Sequence, residues 1–332
     1  HRRGRLTVAD ADGRDAGPAA PDDPLAPLLD GRPVVIDGGL ATELEALGHD
    51  LSDRLWSARL LADEPEAIVE AHLAYFRAGA RVAITASYQA TFEGFAARGL
   101  DRPAAAALLR RSVELAAVAR ARHRAEVAPA DPGPLLVAAS VGPYGAFLAD
   151  GSEYRGDYRL GRAALRDWHR DRLRVLWDAG PDLLACETIP VLAEAEALAE
   201  LLAETGAVAW LALTCADGGH LRDGTPVEEA ATVADATPGF VAVGVNCTPP
   251  EHVEELVARI RSATAKPIVV YPNSGEGWDA VARRWLPATG PTVDAATARA
   301  WIAAGATLVG GCCRVGPADI EALAHDFAAA PG

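Results

Sequence analysis

The sequence predicts an α/β fold: a single-domain, closed (β/α)8 barrel of the TIM type. Three observations predict it. Eight short apolar runs recur along the 332 residues, helical sequence separates each from the next, and none reads as one arm of an amphipathic hairpin. Runs apolar on both faces and joined by crossovers indicate parallel strands covered by helices. An open, doubly wound sheet is the competing closure. The count of eight, with no glycine-rich phosphate fingerprint after the first strand, favours the barrel.

Residues 1–30 are rich in Asp, Pro, Ala, Gly and Arg without period and read as a flexible leader or tag remnant, leaving residues 31–332 as the barrel. The chain opens at His1 and contains no methionine, so its start is expected to have been trimmed, processed or altered. Strand one is Pro33–Ile36, ending in Asp37-Gly38-Gly39. Asp63-Glu64-Pro65-Glu66 then suits a helix N-terminus, and Ala67–Ala78 has helical spacing that stops at Gly79. Strand two is Arg81–Thr85, followed by a helix over Pro103–Ala128 that a proline-rich breaker ends. Strand three, Leu135–Ser140, precedes a long polar loop from Gly142 to Tyr158, of a length often tied to function, and a helix over Gly161–Ala179. Strand four is Asp182–Cys186, closed by Glu187, with a helix over Leu192–Glu204; strand five is Val208–Leu213. Strand six is Phe240–Val245, a helix covers Glu251–Ser262, strand seven is Pro267–Val270 and strand eight is Thr307–Val309.

Half of the residues are hydrophobic, so a large core is available. A formal charge of −15, with no basic stripe, argues against a nucleic-acid partner. No apolar stretch is long enough for a membrane span and no signal core is present. Five cysteines, an odd number, make no disulfide framework, and a reducing cytoplasm fits them better.

A barrel builds its active site at the C-terminal ends of its strands, so the polar residues there can be collected directly. They are Asp37 with Gly38-Gly39, Thr85 and Ser87, Glu187, Asn246 and Cys247, Asn273, and Cys312-Cys313. The vicinal pair in Gly310-Gly311-Cys312-Cys313-Arg314 is ill suited to bridging itself but well suited to presenting two thiolates to one cation. Cys247 sits in a matching context and supplies a third. Three thiolates select zinc and leave its fourth position open, as a catalytic site requires. The alternatives are small residues packed at a tight turn for the cysteines, helix caps or first-turn acids for Asp37 and Glu187, and capping or filling for Thr85 and Ser87. Cys186 and Cys215 read as buried hydrophobes, with strand alternation turning Cys186 away from the mouth. The eight histidines fall in the tail, helices and loops, so none is assigned to the metal.

These strand ends are similar to those of the zinc-dependent homocysteine S-methyltransferases. Asp37-Gly38-Gly39-Leu40-Ala41-Thr42-Glu43-Leu44, Thr85-Ala86-Ser87-Tyr88-Gln89, Gly244-Val245-Asn246-Cys247 and Gly310-Gly311-Cys312-Cys313-Arg314 carry the resemblance, which covers the chain from about Pro33 to Phe327. Gly142-Pro143-Tyr144-Gly145, Asp150-Gly151-Ser152-Glu153-Tyr154 and Tyr271-Pro272-Asn273-Ser274-Gly275-Glu276 resemble the branch that uses sulfonium donors rather than betaine.

The resemblance implies Zn2+ on Cys247, Cys312 and Cys313. It also implies homocysteine bound through Asp37, Gly38, Thr85 and Glu187, and methyl transfer from S-methylmethionine or S-adenosylmethionine to give methionine. No catalytic side chain beyond the activated thiolate is implied, and neither a cobalamin nor a folate domain is expected. Alternatives are a zinc-dependent barrel hydrolase or lyase, a methyltransferase for another thiol or a selenol, and a non-catalytic zinc module. Hydrolytic zinc usually takes histidine and carboxylate ligands, and a structural zinc a fourth protein ligand; neither is evident here.

Overall fold

Strands whose successive residues are all apolar must bury both faces, and a closed parallel sheet wrapped in helices does this. The computed structural model describes residues 23–49, 51, 56–279, 284–288, 290 and 292–329. Its strands are β1 (Val34–Val35), β2 (Val82–Ile84), β3 (Leu136–Val141), β4 (Leu183–Ile189), β5 (Ala209–Leu213), β6 (Phe240–Asn246), β7 (Ile268–Tyr271), a hairpin of β8 (Gly277–Asp279) and β9 (Arg284–Leu286), and β10 (Leu308–Val309). Eight of them form one parallel sheet in the order β1-β10-β7-β6-β5-β4-β3-β2. The seam between β1 and β2 closes through Arg81 N donating to Val35 O (2.7 Å) and Asp37 N donating to Val82 O (3.1 Å). The expected barrel is therefore present, and its eighth strand is β10.

Alternate residues divide between two cores. Val34, Leu136, Ala138, Leu183, Ala185 and Trp210 belong to the inner cluster, whereas Val35, Val137, Ala139, Leu184, Cys186 and Leu211 pack outward under the helices. Cys186 thus faces away from the mouth, as the alternation predicts. Inside, Trp210 Nε1 donates to the Tyr271 hydroxyl at 3.0 Å.

The helices are α1 (Leu40–Ala46), α2 (Trp56–Asp63), α3 (Pro65–Arg77), α4 (Phe92–Ala96), α5 (Arg102–Val127), α6 (Tyr144–Leu148), α7 (Arg162–Asp178), α8 (Leu192–Thr205), α9 (Val227–Ala236), α10 (Pro250–Ala263), α11 (Ala295–Ala304) and α12 (Pro317–Ala329). Local chemistry sets their starts. Asp101 caps α5 by accepting from Ala104 N (2.9 Å), with Pro103 in the first turn. Pro65 opens α3, and Gly206, at φ 69°, ends α8.

Three expectations need adjustment. Residues 1–22 of the expected leader lie outside the described residues, but residues 23–30 are packed: Leu25 is fully buried and Leu28 nearly so, in the inner cluster. They close the barrel at the end away from the site, because the open lower rim needs apolar cover. The hairpin between β7 and β10 is antiparallel and was not expected. Strand four runs past Glu187 to Ile189, through a bulge described below. Among the described residues no helix is long and apolar enough to cross a membrane.

Candidate active site

The three thiols meet where β6 and β10 end. Cys247 follows β6 directly in a left-handed conformation (φ 46°) and is buried; Cys312 and Cys313 are half-buried on the turn after β10. Backbone hydrogen bonds fix that turn: Gly310 N to Val270 O (2.9 Å), Gly311 N to Asp37 O (3.1 Å) and Cys312 N to Pro272 O (2.7 Å). A Cβ on Gly310 would stand 2.5 Å from Asp37 O, and one on Gly311 2.2 Å from Val315, so only glycine lets the turn come this close to the β1 loop. The Tyr75 hydroxyl donates to Gly39 O (2.8 Å) and Val315 O (3.1 Å), pinning the same two loops from below.

Cys247 Sγ lies 2.7 Å from Cys312 Sγ, and all three sulfurs lie within 4.8 Å of one another. A tetrahedral ion about 2.3 Å from each would set them about 3.8 Å apart, between those two figures. The cluster can hold a metal ion, and soft, anionic sulfur is its whole donor set. Hydrogen bonds from Cys247 and Cys312 pull Cys313 well below the usual thiol range, and giving them pushes Cys312 well above it. Without a cation the three cannot all ionise together.

The four other predicted site residues stand in the same mouth. Asp37 is buried; its Oδ2 accepts from Ile84 N (2.6 Å), while Oδ1 is buried without a partner. Burial raises its carboxyl well above the usual range against the pull of that amide, and the nearby charge of Glu187 adds to the rise. Gly38 follows it, a Cβ there meeting Val315 O at 2.4 Å. Thr85 Oγ1 shares a hydrogen bond with Ser87 Oγ (2.8 Å) and accepts from Ser140 N (3.1 Å); Ser140 Oγ donates in turn to Glu187 Oε1.

Glu187 faces the mouth because alternation places it opposite the outward Cys186. Cys186 pairs with Leu211 and Ile189 with Leu213, so three steps on β4 oppose two on β5 and the strand bulges directly after Cys186. Thr188, at φ 59°, is held by Asn246: its N donates to Asn246 Oδ1 (2.7 Å) and Asn246 Nδ2 donates to Thr188 Oγ1 (2.8 Å). Burial pushes the Glu187 carboxyl up to about 7, against hydrogen bonds from Ser140 and Tyr271.

Sequence reasoning missed several supports. The sequence marks Ser140 only as the end of strand three. Arg172 of α7, fully buried, donates to Gly142 O, Ser87 O and Tyr88 O, each at 2.8 Å, gathering the loops after β2 and β3. Glu194 of α8 accepts from Tyr144 N (2.7 Å) and the Tyr158 hydroxyl, and pairs with His169 Nε2 (2.7 Å), so the Gly142–Tyr158 loop is anchored to two helices. A helical charge at surface spacing gave no signal of this.

The model of the homocysteine S-methyltransferase family matches residues 34–327. A homocysteine S-methyltransferase of Escherichia coli K12 is 52% identical over 305 residues, covering 91% of this chain and 98% of its own. A selenocysteine methyltransferase of Astragalus bisulcatus is 44% identical over 310 residues, covering 88% and 92%. The crystal structure of the homocysteine methyltransferase MmuM from Escherichia coli in its metallated form aligns with a TM-score of 0.83 at 50% identity, covering 91% of this chain and 99% of that one.

Proposed function

The chain belongs to the homocysteine S-methyltransferase family, and from that premise we propose that it is an enzyme that transfers a methyl group from a sulfonium donor to the sulfur of homocysteine, giving methionine. The observation that carries this reading is the convergence of three cysteine sulfurs within 4.8 Å beside two buried carboxyls with raised pKa values. Cys247, Cys312 and Cys313 hold zinc, the ion that an all-thiolate donor set selects. Zinc, when bound, supplies the charge that keeps the substrate thiol, with an ordinary pKa of about 8.5, deprotonated at neutral pH.

The chain's own residues do the rest. Asp37 and Glu187 take the ammonium of homocysteine; the orphan Oδ1 of Asp37 is an acceptor awaiting such a donor. The backbone around Gly38 and Thr85 takes the remaining polar atoms. The thiolate sulfur forms a bond to the donor's methyl carbon while that carbon's bond to the sulfonium sulfur breaks, its electron pair staying on the departing sulfur. A thiolate and a cation become two neutral thioethers, so no general acid is needed and positioning dominates the rate. Three cysteinates and the substrate thiolate outnumber the two charges of the ion, so the mouth draws a cationic donor.

The cytoplasmic placement and the donor pair, S-methylmethionine or S-adenosylmethionine, belong to the same reading. A hydrolase or lyase finds no support in the family. A selenol acceptor keeps one, since a relative 44% identical is a selenocysteine methyltransferase. The test is Cys312→Ala: metal content and methyl transfer should both be lost while circular dichroism shows the barrel intact. Full turnover by that variant would end the metal mechanism.

A further inference from the structure

Two charged side chains at the mouth make no ion pair among the described residues and have no part in the roles given so far. Arg222 lies in the loop after β5. Its guanidinium sits 5.7 Å from the centre of the Tyr154 ring and makes two long hydrogen bonds of 3.4 Å, both to Thr214 Oγ1. Thr214 Oγ1 donates to Cys247 O (3.2 Å), so one hydroxyl links the guanidinium to the backbone of a proposed metal ligand. No carboxylate pairs with Arg222 among the described residues. A half-buried guanidinium has five donors in a fork shaped for a carboxylate, and here two are used weakly.

Glu153, beside Tyr154 in the loop after β3, has the complementary want. Its Oε2 is buried and accepts no hydrogen bond. The nearest arginine, Arg155, is engaged by Asp150 and Asp157. The two loops touch: a Cβ on Gly156 would stand 2.9 Å from the carbonyl carbon of Arg222. Tyr154, 39% exposed, lies beside the Arg222 guanidinium and next to Glu153 in the chain, and the charge of Cys247 raises its phenol well above the usual range, as a group near the thiols would show. A guanidinium without an ion pair and a carboxyl with a buried, unsatisfied oxygen, both near Tyr154 and the metal cluster, match the two ends of a zwitterion. The ammonium of homocysteine is already met by Asp37 and Glu187, so this zwitterion is the other substrate.

We propose that Arg222 and Glu153 form the seat for the amino-acid head of the methyl donor, Arg222 taking its α-carboxylate and Glu153 its α-ammonium, with Tyr154 beside them. The inference rests on the methyl-transfer function above and adds to it the residues that hold the α-ammonium and α-carboxylate shared by both proposed donors. A donor with no ammonium would leave Glu153 Oε2 buried and unpaired, which disfavours it.

Steady-state methionine formation tests this, with S-methylmethionine and its des-amino analogue as donors and circular dichroism and metal content checked for each variant. Arg222→Gln should raise the donor KM roughly ten- to a hundred-fold for both donors, the loss expected of a charged hydrogen bond. Glu153→Gln should do so for S-methylmethionine alone, and the KM for homocysteine should stay within about two-fold in both variants. Arg222→Lys, which keeps the charge and loses the fork, should show a smaller shift of the same kind and serves if Arg222→Gln does not fold. A rise in the homocysteine KM, or unchanged donor KM values in a wild type that turns over, overturns the seat and leaves the function standing. A wild type that transfers no methyl from either S-methylmethionine or S-adenosylmethionine overturns the function, and the seat with it.

Discussion

At Glu187 burial and hydrogen bonding pull in opposite directions, and burial wins, leaving the carboxyl pushed up to about 7. The sign follows. Below that pH the group is a neutral acid and cannot pair with the ammonium of homocysteine, so kcat/KM for homocysteine should fall as pH drops through about 7. Glu187→Gln should flatten that limb and raise the homocysteine KM roughly ten- to a hundred-fold. A wild-type KM that stays level from about pH 6 to about pH 8, at constant metal content, would remove Glu187 from substrate binding. The position of Glu187 was readable because it closes an apolar run, and the cysteines were readable because thiols after strands are uncommon. Ser140, which donates to Glu187, was not, because a hydroxyl within a strand looks like filler until the register is known. Arg222 and Glu153 were missed for a related reason: what marks them is the partner they lack, and a sequence shows no partners.

Between residue and fold stands the Gly142–Tyr158 loop, held by one carboxylate. Glu194 and His169 are wholly buried and 2.7 Å apart, and Glu194 also receives Tyr144 N and the Tyr158 hydroxyl. Removing it leaves a backbone N–H, a phenol and an imidazole that burial favours neutral without their acceptor, so Glu194→Ala should cost about 1–3 kcal/mol locally. Hydrogen exchange should then quicken in the loop, and turnover should fall with the metal retained; unchanged protection there would refute the anchor. The long helices were legible where a cap or breaker coincided with a helical apolar period. The helix expected over Pro103–Ala128 is α5, Arg102–Val127, because Asp101 and Pro103 announce it. Strand four was cut short at Cys186, because a bulge has no signature in composition. Helices α9, α11 and α12, the short helices α1, α2, α4 and α6, and the β8–β9 hairpin have no counterpart in the sequence reading, although α9 and α11 separate strands that were themselves recognised.

Across the whole molecule, eight parallel strands with alternating inner and outer cores gather the ends of β1, β2, β4, β6 and β10 into one mouth, so residues as far apart as Asp37 and Cys313 share a site. The opposite end is closed by Leu25 and Leu28. Leu25→Ala should lower unfolding stability by about 2–5 kcal/mol in a denaturant titration, while leaving both substrate KM values unchanged. A neutral result would return residues 23–30 to the flexible leader expected from their composition. That composition misled because a short apolar pair inside a Pro- and Asp-rich stretch carries no period. The barrel itself was legible from the count and spacing of the apolar runs alone. The central claim, metal-dependent methyl transfer to homocysteine, is tested most directly by assaying methionine formation from homocysteine on protein of known zinc content, with S-methylmethionine and S-adenosylmethionine compared side by side. Turnover that a chelator abolishes and added zinc restores is the expected result; zinc-loaded protein that forms no methionine from either donor would contradict it.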